Sequence, residues 1–419
     1  MKTLIKNAYI LNENFEIEKN MSILINDNII VKVSGEIVEK NIDNIIDAKN
    51  NLIIPGLINA HAHSAMVLLK NKASGSLEDW LFNDVLEKEK KLTGEDVYYG
   101  TMFAILTYLK NGITNFVDMY YFPESIAKAV LDTNIRASLC LGSNSLNEQM
   151  DYNEIEDLYL KLKRNKMLNF CFSCHSVYLC SEDNFSDIIK LSKKYDKPVY
   201  THASETLLEV GNCTTEHNLT PIKLLEQYGF FDCKNIINHA VHLDKEDLSI
   251  LEMYDTNVIS NPASNLKLGS GIANLYALKR RHINIGLGTD GASSNDRLDM
   301  FREMYLASNL MKHQLNNIPF EPSEILKMAT FNNAKMLGYK NLGLIKKGYL
   351  ADLVMINLSS YNFLNEENIL IDLINSAGVE DVLLTMVNGK VLYENGKFNL
   401  NIDENFIKQK CQEIVKRIC

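Results

Sequence analysis

Hydrophobic and polar positions divide the chain into three regimes. Up to about residue 54 the apolar residues stand in short runs, at 3–11, 21–33 and 45–54, rich in Ile, Val and Leu and broken by Asn and Asp. No helical period runs through them, so they predict strands. Asn26-Asp27-Asn28 predicts a turn between two apolar runs. From about Leu52 short β-branched runs alternate with longer stretches of helical period. The predicted strands are 53–59, 113–118, 137–141, 170–173, 198–202, 236–239, 258–260 and 283–288. Helix-like segments separate most of them, among them 93–110, 123–132, 182–195, 221–228 and 245–253. Eight strands alternating with helices predict an α/β fold, a parallel (β/α)8 barrel of the TIM type. An open doubly wound sheet is the competing arrangement, but no GxGxxG follows an early strand. Beyond about Leu342 β runs return at 351–356 and 382–393, the second with an Asn388-Gly389 hairpin turn. Residues 403–418 have a helical period. Neither terminal β segment can bury a core alone. They are expected to pair into one small β-sandwich, with the barrel as a continuous insertion. The division is 1–54 for the first part of the sandwich, 55–342 for the barrel, and 343–419 for the second part and the C-terminal helix.

Composition narrows the setting. Hydrophobic residues at 46% and charged residues at 23% suit a soluble globular protein. A formal charge of −10 argues against nucleic acid and anionic membrane as partners, since both reward a basic surface. No apolar run reaches about 18 residues, and the N-terminus has no signal-peptide pattern, so a reducing cytoplasm is expected. Eight cysteines show no disulfide framework. Cys171 and Cys174 form a CxxC without a second one, and are read as small apolar residues in and beside a buried strand rather than as half of a zinc site.

The candidate chemistry sits at predicted strand ends. In Asn59-Ala60-His61-Ala62-His63 the two histidines share one face of a strand, about 6.5 Å apart. At the C-terminal end of a barrel strand, where active sites lie, they can converge on one ion. His202 closes the fifth strand, with Glu205 three residues on, in the loop. His239 closes the sixth, and Asp290 follows the eighth between Gly288 and Gly291. All open onto one face of one barrel.

With these residues the segments PGLINAHAH, THASE, NHAVHL, SNPASNLKLGSG, GTDGASSNDRLDMFREM and KKGYLADLVMINL resemble the amidohydrolase superfamily, and within it the branch of 5′-methylthioadenosine/S-adenosylhomocysteine deaminases. The resemblance runs almost end to end. It implies a split β-sandwich beside the barrel and one divalent metal ion, usually Zn2+, on His61, His63, His202 and Asp290. Binuclear relatives often carry a carboxylated Lys at the end of strand four. The sequence here is Cys171-Phe172-Ser173-Cys174-His175-Ser176, which favours a single ion. The implied reaction is hydrolytic removal of ammonia from C6 of an adenine nucleoside, a neutral small molecule that needs no basic protein. Asp290 accepts a proton from water, His239 orients that water, and Glu205 carries a proton to a ring nitrogen. Glu89 and His175 match groups that hold the ribose and the purine. From the residues alone, Glu89 reads equally as one more charge on Glu87-Lys88-Glu89-Lys90, and His175 as a core histidine. Trp80, the single Trp, suits a stacked base or a packed helix face.

One departure bears on the substrate. Members that accept S-adenosylhomocysteine resemble one another in arginines after strand three. Here 138–151 contains none, and burying a carboxylate without a cation is costly. Methylthioadenosine, 5′-deoxyadenosine or adenosine are therefore the expected substrates, with the places of Arg136 and Arg164 left open. His217 reads as a surface residue near the pocket, and His242, His282 and His313 as structural or exposed. The alternatives are a relative acting on guanine, cytosine, 8-oxopurine, pterin or chlorotriazine rings, or a metal-free binding protein. A homo-oligomer is compatible with the sequence.

Overall fold

A computed structural model of the chain describes residues 1–71, 77, 79–143, 150–314 and 321–418. The N-terminal strands are β1 (Lys2–Leu11), β2 (Ile17–Asn26), β3 (Ile29–Ser34), β4 (Asn44–Asp47) and β5 (Leu52–Pro55). The barrel strands are β6 (Leu57–Ala62), β7 (Ile113–Asp118), β8 (Arg136–Ser143), β9 (Leu168–Cys174), β10 (Val199–Ala203), β11 (Asn235–His239), β12 (Asn257–Ser260) and β13 (Asn284–Leu287). The C-terminal strands are β14 (Leu353–Ile356), β15 (Val382–Val387), β16 (Lys390–Glu394) and β17 (Lys397–Phe398). β6 to β13 pair in chain order, all parallel. Helices such as Gly94–Lys110, Glu182–Tyr195 and Lys245–Met253 follow the strands, within a residue of the sequence expectation. No helix among the described residues is long and apolar enough to cross a membrane.

The terminal strands form one sheet in the order β17-β16-β15-β14-β5-β1-β2-β3, with β4 on β1. This sheet curls over a core of its own that includes Ile5, Ile10, Ile23, Ile25, Ile53 and Met386. The curl brings its hairpin turns together. Asn28 Nδ2 donates to Asn388 Oδ1 at 2.9 Å, and a Cβ on Gly389 would lie 2.0 Å from the Asp27 carbonyl oxygen.

The predicted strand 53–59 is two strands. β5 belongs to the terminal sheet, paired with β1 and β14, and β6 begins the barrel. Gly56 is the hand-over point. Its N–H donates to the Asp352 carbonyl at 2.8 Å, and any Cβ would stand 2.1 Å from Thr114 Oγ1. The apolar run continues across the break because both strands are buried, so hydrophobicity alone does not reveal it. Asp352 also takes a two-point ion pair from the buried Arg136, at 2.9 and 3.1 Å, which joins the first residue of β8 to the terminal sheet.

The barrel is sealed between β6 and β13 by side chains rather than by a ladder among the described residues. Asn333 Nδ2 donates to the carbonyls of Ile58 and Leu287, at 2.7 and 2.9 Å. Asn59 and Thr289 exchange two bonds, and Asp290 N–H donates to the His61 carbonyl at 2.9 Å. Gly286 and Gly288 permit this approach, since a Cβ would meet Asn333 Oδ1 at 2.0 Å or the His61 backbone nitrogen at 2.7 Å. Inside the barrel Ile58, Val117, Cys140, Cys171, Tyr200 and Ile236 pack together. Cys174 joins the outer core instead. Three positions apart on a strand the two thiols face opposite ways, so the CxxC is a packing feature.

Replacement of Asn333 by Ala removes both bonds that staple β6 to β13. It is expected to destabilise the fold by about 2–6 kcal/mol, at roughly 1–3 kcal/mol for each of the two buried carbonyls left bare. A chemical denaturation midpoint shifted to lower denaturant checks this; an unchanged midpoint rules out the staple.

Candidate active site

Three of the barrel's strand ends turn sharply inward. Ser204 (φ 55°), His239 (φ 71°) and Asp290 (φ 61°) all hold left-handed backbone, which costs a non-glycine residue about 1–3 kcal/mol. Each bend is fixed by its neighbours. The Glu209 carboxylate accepts the N–H groups of Ser204 and Glu205, at 3.1 and 2.6 Å. Ala240 N–H donates to the Ala203 carbonyl beside His239, and Asp290 N–H to that of His61. The bends aim the side chains at the barrel axis.

There His61, His63, His202, His239 and Asp290 meet, all buried. The Nδ1 of each ring is committed to the scaffold. His63 Nδ1 lies 2.5 Å from the Met119 carbonyl and His202 Nδ1 2.7 Å from that of His175. Carbonyls only accept, so both Nδ1 atoms carry the proton. His61 Nδ1 lies 2.9 Å from the Tyr200 hydroxyl, which itself donates to the Ala60 carbonyl and so accepts from His61. His239 Nδ1 donates to Asn265 Oδ1 at 2.7 Å. The Nε2 atoms are left to face one another. His61 Nε2 stands 3.1 Å from His202 Nε2 and 3.4 Å from Asp290 Oδ1, and His63 Nε2 stands 3.2 Å from the same oxygen. A tetrahedral ion bonded at 2.0–2.1 Å needs ligand atoms about 3.4 Å apart. The three separations match such spacings within two triads that share His61, His61–His63–Asp290 and His61–His202–His239.

Charge agrees with that shape. Burial lowers His61 to about 4 and takes His202 well below the ordinary histidine value, so neither holds a second proton near neutrality. Two lone pairs 3.1 Å apart then call for a cation between them. Burial opposes charge on Asp290, but His61 and His63 hold it well below the usual carboxylate range. Burial also opposes charge on His63, yet Asp290 and the Met119 carbonyl outweigh it and raise His63 to about 9. Without an ion the Asp290 charge draws a proton onto His63, and a divalent cation would displace it. The second carboxylate oxygen of Asp290 accepts from Ser264 and Ser294, at 2.6 and 3.0 Å.

Glu205 is buried beside this cluster. One oxygen lies 3.4 Å from His239 Nε2 and the other accepts from Ser270 Oγ at 3.0 Å. Glu89 is the buried member of its charged helix turn, and Tyr120 donates to it at 2.7 Å while its ring lies 6.4 Å from that of His63. His175 ends β9 with its ring 4.4 Å from that of His202, and burial lowers it to about 3. Trp80 donates its indole N–H to Ser293 Oγ at 3.0 Å and is buried.

Other candidates lie apart from the cluster. His217, His282 and His313 are exposed, and His242 bonds the Ser270 carbonyl. Arg136 is at the opposite end of the barrel and Arg164 is exposed. The stretch 144–149, read from the sequence as free of arginine, lies outside the described residues. Sequence reasoning missed Tyr120, Tyr200, Ser264, Asn265, Ser270 and Ser294, which orient the charged and ring groups. Four of these stand in the segments SNPASNLKLGSG and GTDGASSN, whose run of small polar residues was the available signal.

Residues 52–392 match the amidohydrolase family. A 5-methylthioadenosine/S-adenosylhomocysteine deaminase of Pyrococcus furiosus is 38% identical over 99% of this chain and all of its own length. One of Dictyoglomus turgidum is 34% identical over the whole of both. The crystal structure of an adenosine deaminase from Xanthomonas campestris with bound zinc superposes with a TM-score of 0.92 at 26% identity, over 99% of this chain and 98% of that one. On the match across most of its length and on these relatives, the chain belongs to the amidohydrolase family.

Proposed function

We propose that this protein is a hydrolytic deaminase that releases ammonia from the 6-position of an adenine nucleoside. The carrying observation is the pair of buried triads that share His61, namely His61–His63–Asp290 and His61–His202–His239, with Glu205 alongside. Three neutral imidazoles and one carboxylate suit Zn2+. A single ion fits the end of β9, which offers Cys174 and His175 and no Lys. A divalent ion held there brings the pKa of a water toward neutrality.

The chain's own groups do the rest. Asp290, held by two serines, takes the proton of the attacking water. His239, fixed by Asn265, orients that water through Nε2. Glu205 carries the proton to a ring nitrogen of the base and makes the ring electrophilic. Glu89, positioned by Tyr120, receives sugar hydroxyls, and His175 lies against the purine or ribose. The printed names of the relatives support an adenosine-type substrate. The same reading divides the chain at 54/55 and 342/343. The described cysteines, all unpaired, suit a cytoplasmic setting. No nucleic-acid or membrane partner is proposed.

Removal of divalent ions by a chelator should abolish ammonia release, and one equivalent of Zn2+ per chain should restore it. Restoration that needs two equivalents refutes the single ion. The Glu205→Gln variant should bind the same amount of zinc while kcat falls by about 10²–10⁴-fold, the usual worth of a placed proton carrier. Retained kcat at full zinc content removes Glu205 from that role. Ammonia release from methylthioadenosine, 5′-deoxyadenosine and adenosine, with none from guanine, tests the substrate class; the reverse pattern points to the base deaminases.

A further inference from the structure

Glu303 stands on the helix Met300–Gln314, away from the cluster of imidazoles, and is fully buried. Its carboxylate bridges two loops. One oxygen accepts the Ala263 N–H at 3.0 Å, and the other accepts from Asn295 Nδ2 at 2.7 Å. Ala263 belongs to the short helix Pro262–Lys267 that follows β12, and Asn295 ends the turn Ala292–Asn295 that follows Asp290.

These two loops carry groups that orient the site. Ser264 and Asn265 come directly after Ala263. Ser264 donates to Asp290 Oδ2 at 2.6 Å, and Asn265 Oδ1 accepts from His239 Nδ1 at 2.7 Å. Ser294 comes directly before Asn295 and donates to the same Asp290 oxygen at 3.0 Å. Asn295 Nδ2 also donates to the carbonyl of Thr289 at 2.6 Å, one residue ahead of Asp290. One side chain on a helix thus sets the spacing of both loops that meet at Asp290.

An amide of the same shape cannot replace it. The Thr289 carbonyl only accepts, so Asn295 turns its NH2 toward both Thr289 and Glu303. Arg302 Nη1, 3.3 Å from Asn295 Oδ1, agrees with that orientation. Glu303 therefore faces a donor on each side. A carboxylate accepts from both, whereas an amide sets its own N–H against one of them. Burial pushes the Glu303 carboxyl up to about 8, while the Ala263 N–H, the Asn295 amide and the Arg302 guanidinium favour its charge. Burying an acid is costly unless it is hydrogen-bonded, and here both bonds go to loops of the site. We infer that Glu303 is a positioning residue for the hydrolysis: it holds the 262–267 and 289–295 loops so that Asp290 meets the attacking water and His239 keeps its Nε2 free. This rests on the roles of Asp290 and His239 proposed above.

The test measures ammonia release from methylthioadenosine by the zinc-saturated full chain and by its Glu303→Gln, Glu303→Asp, Ser264→Ala and Ser264→Ala/Glu303→Gln variants. Glu303→Gln keeps the shape and loses one acceptor. Glu303→Asp keeps the charge but, one methylene shorter, reaches only one loop. Both Glu303 variants should hold the wild-type amount of zinc and leave KM within about twofold, while kcat falls by about 10–100-fold, the usual worth of a group that orients a metal site from outside it. The double variant should lose less than the product of the two single losses, because both changes act on Asp290. A residue that serves only the fold would shift the denaturation midpoint and leave the kcat of folded, zinc-loaded enzyme unchanged. Retained kcat in either soluble Glu303 variant therefore overturns the inference, and so does a double variant whose losses multiply in full. Failure of both Glu303 variants to fold assigns the residue to the fold and overturns the inference as well. In each of these cases the wild type still releases ammonia, and the deaminase reading stands. A zinc-loaded wild type that releases ammonia from neither methylthioadenosine nor adenosine overturns that reading and this inference with it.

Discussion

Every imidazole in the metal-facing cluster gives one nitrogen to the scaffold. Carbonyls of Met119 and His175, the Tyr200 hydroxyl and the Asn265 amide oxygen each take an Nδ1 proton. That fixes the tautomer, and with it the direction in which the unprotonated nitrogen points. The cluster depends on this choice. Were the protons on Nε2 instead, the same rings in the same places would repel a cation rather than hold one. The acceptors come from β7, β9, β10 and β12 or the loops that follow them, so the electronic state of the site is a property of the barrel as a whole.

The bends at Ser204, His239 and Asp290 show how that state is reached. Regular strands would send these residues along the barrel wall. Left-handed backbone turns them inward, and the unfavourable conformations persist because buried hydrogen bonds hold each one. Glu209 illustrates the arrangement. Its carboxylate replaces the strand partners that Ser204 and Glu205 lose at the bend, and burial together with the nearby Glu205 charge raises it to about 7.

The barrel, its flanking strands and the side chains that gather at the strand ends were legible because each rests on a local rule. Period-two alternation placed His61 and His63 on one face, and a histidine or aspartate at a strand end needed only the strand to be found. What was not legible is non-local. Nothing in the neighbourhood of Arg136 announces Asp352, 216 residues away. The run at 53–59 stays hydrophobic through Gly56, although the chain changes sheets there. Glu89 looked like any surface charge until the structure buried it against Tyr120. The polar residues that orient the site were visible as letters, but their partners lie on other strands.

The meeting of Gly56, Arg136 and Asp352 has a consequence for the order of assembly. Residue 352 comes from the ribosome roughly three hundred residues after the strand whose root it caps, at synthesis rates of about 5–20 residues per second. Until then the root of β6 lacks the carbonyl that Gly56 N–H bonds, and Arg136 lacks its counter-charge. The late segment acts as the clasp that closes a nearly finished container.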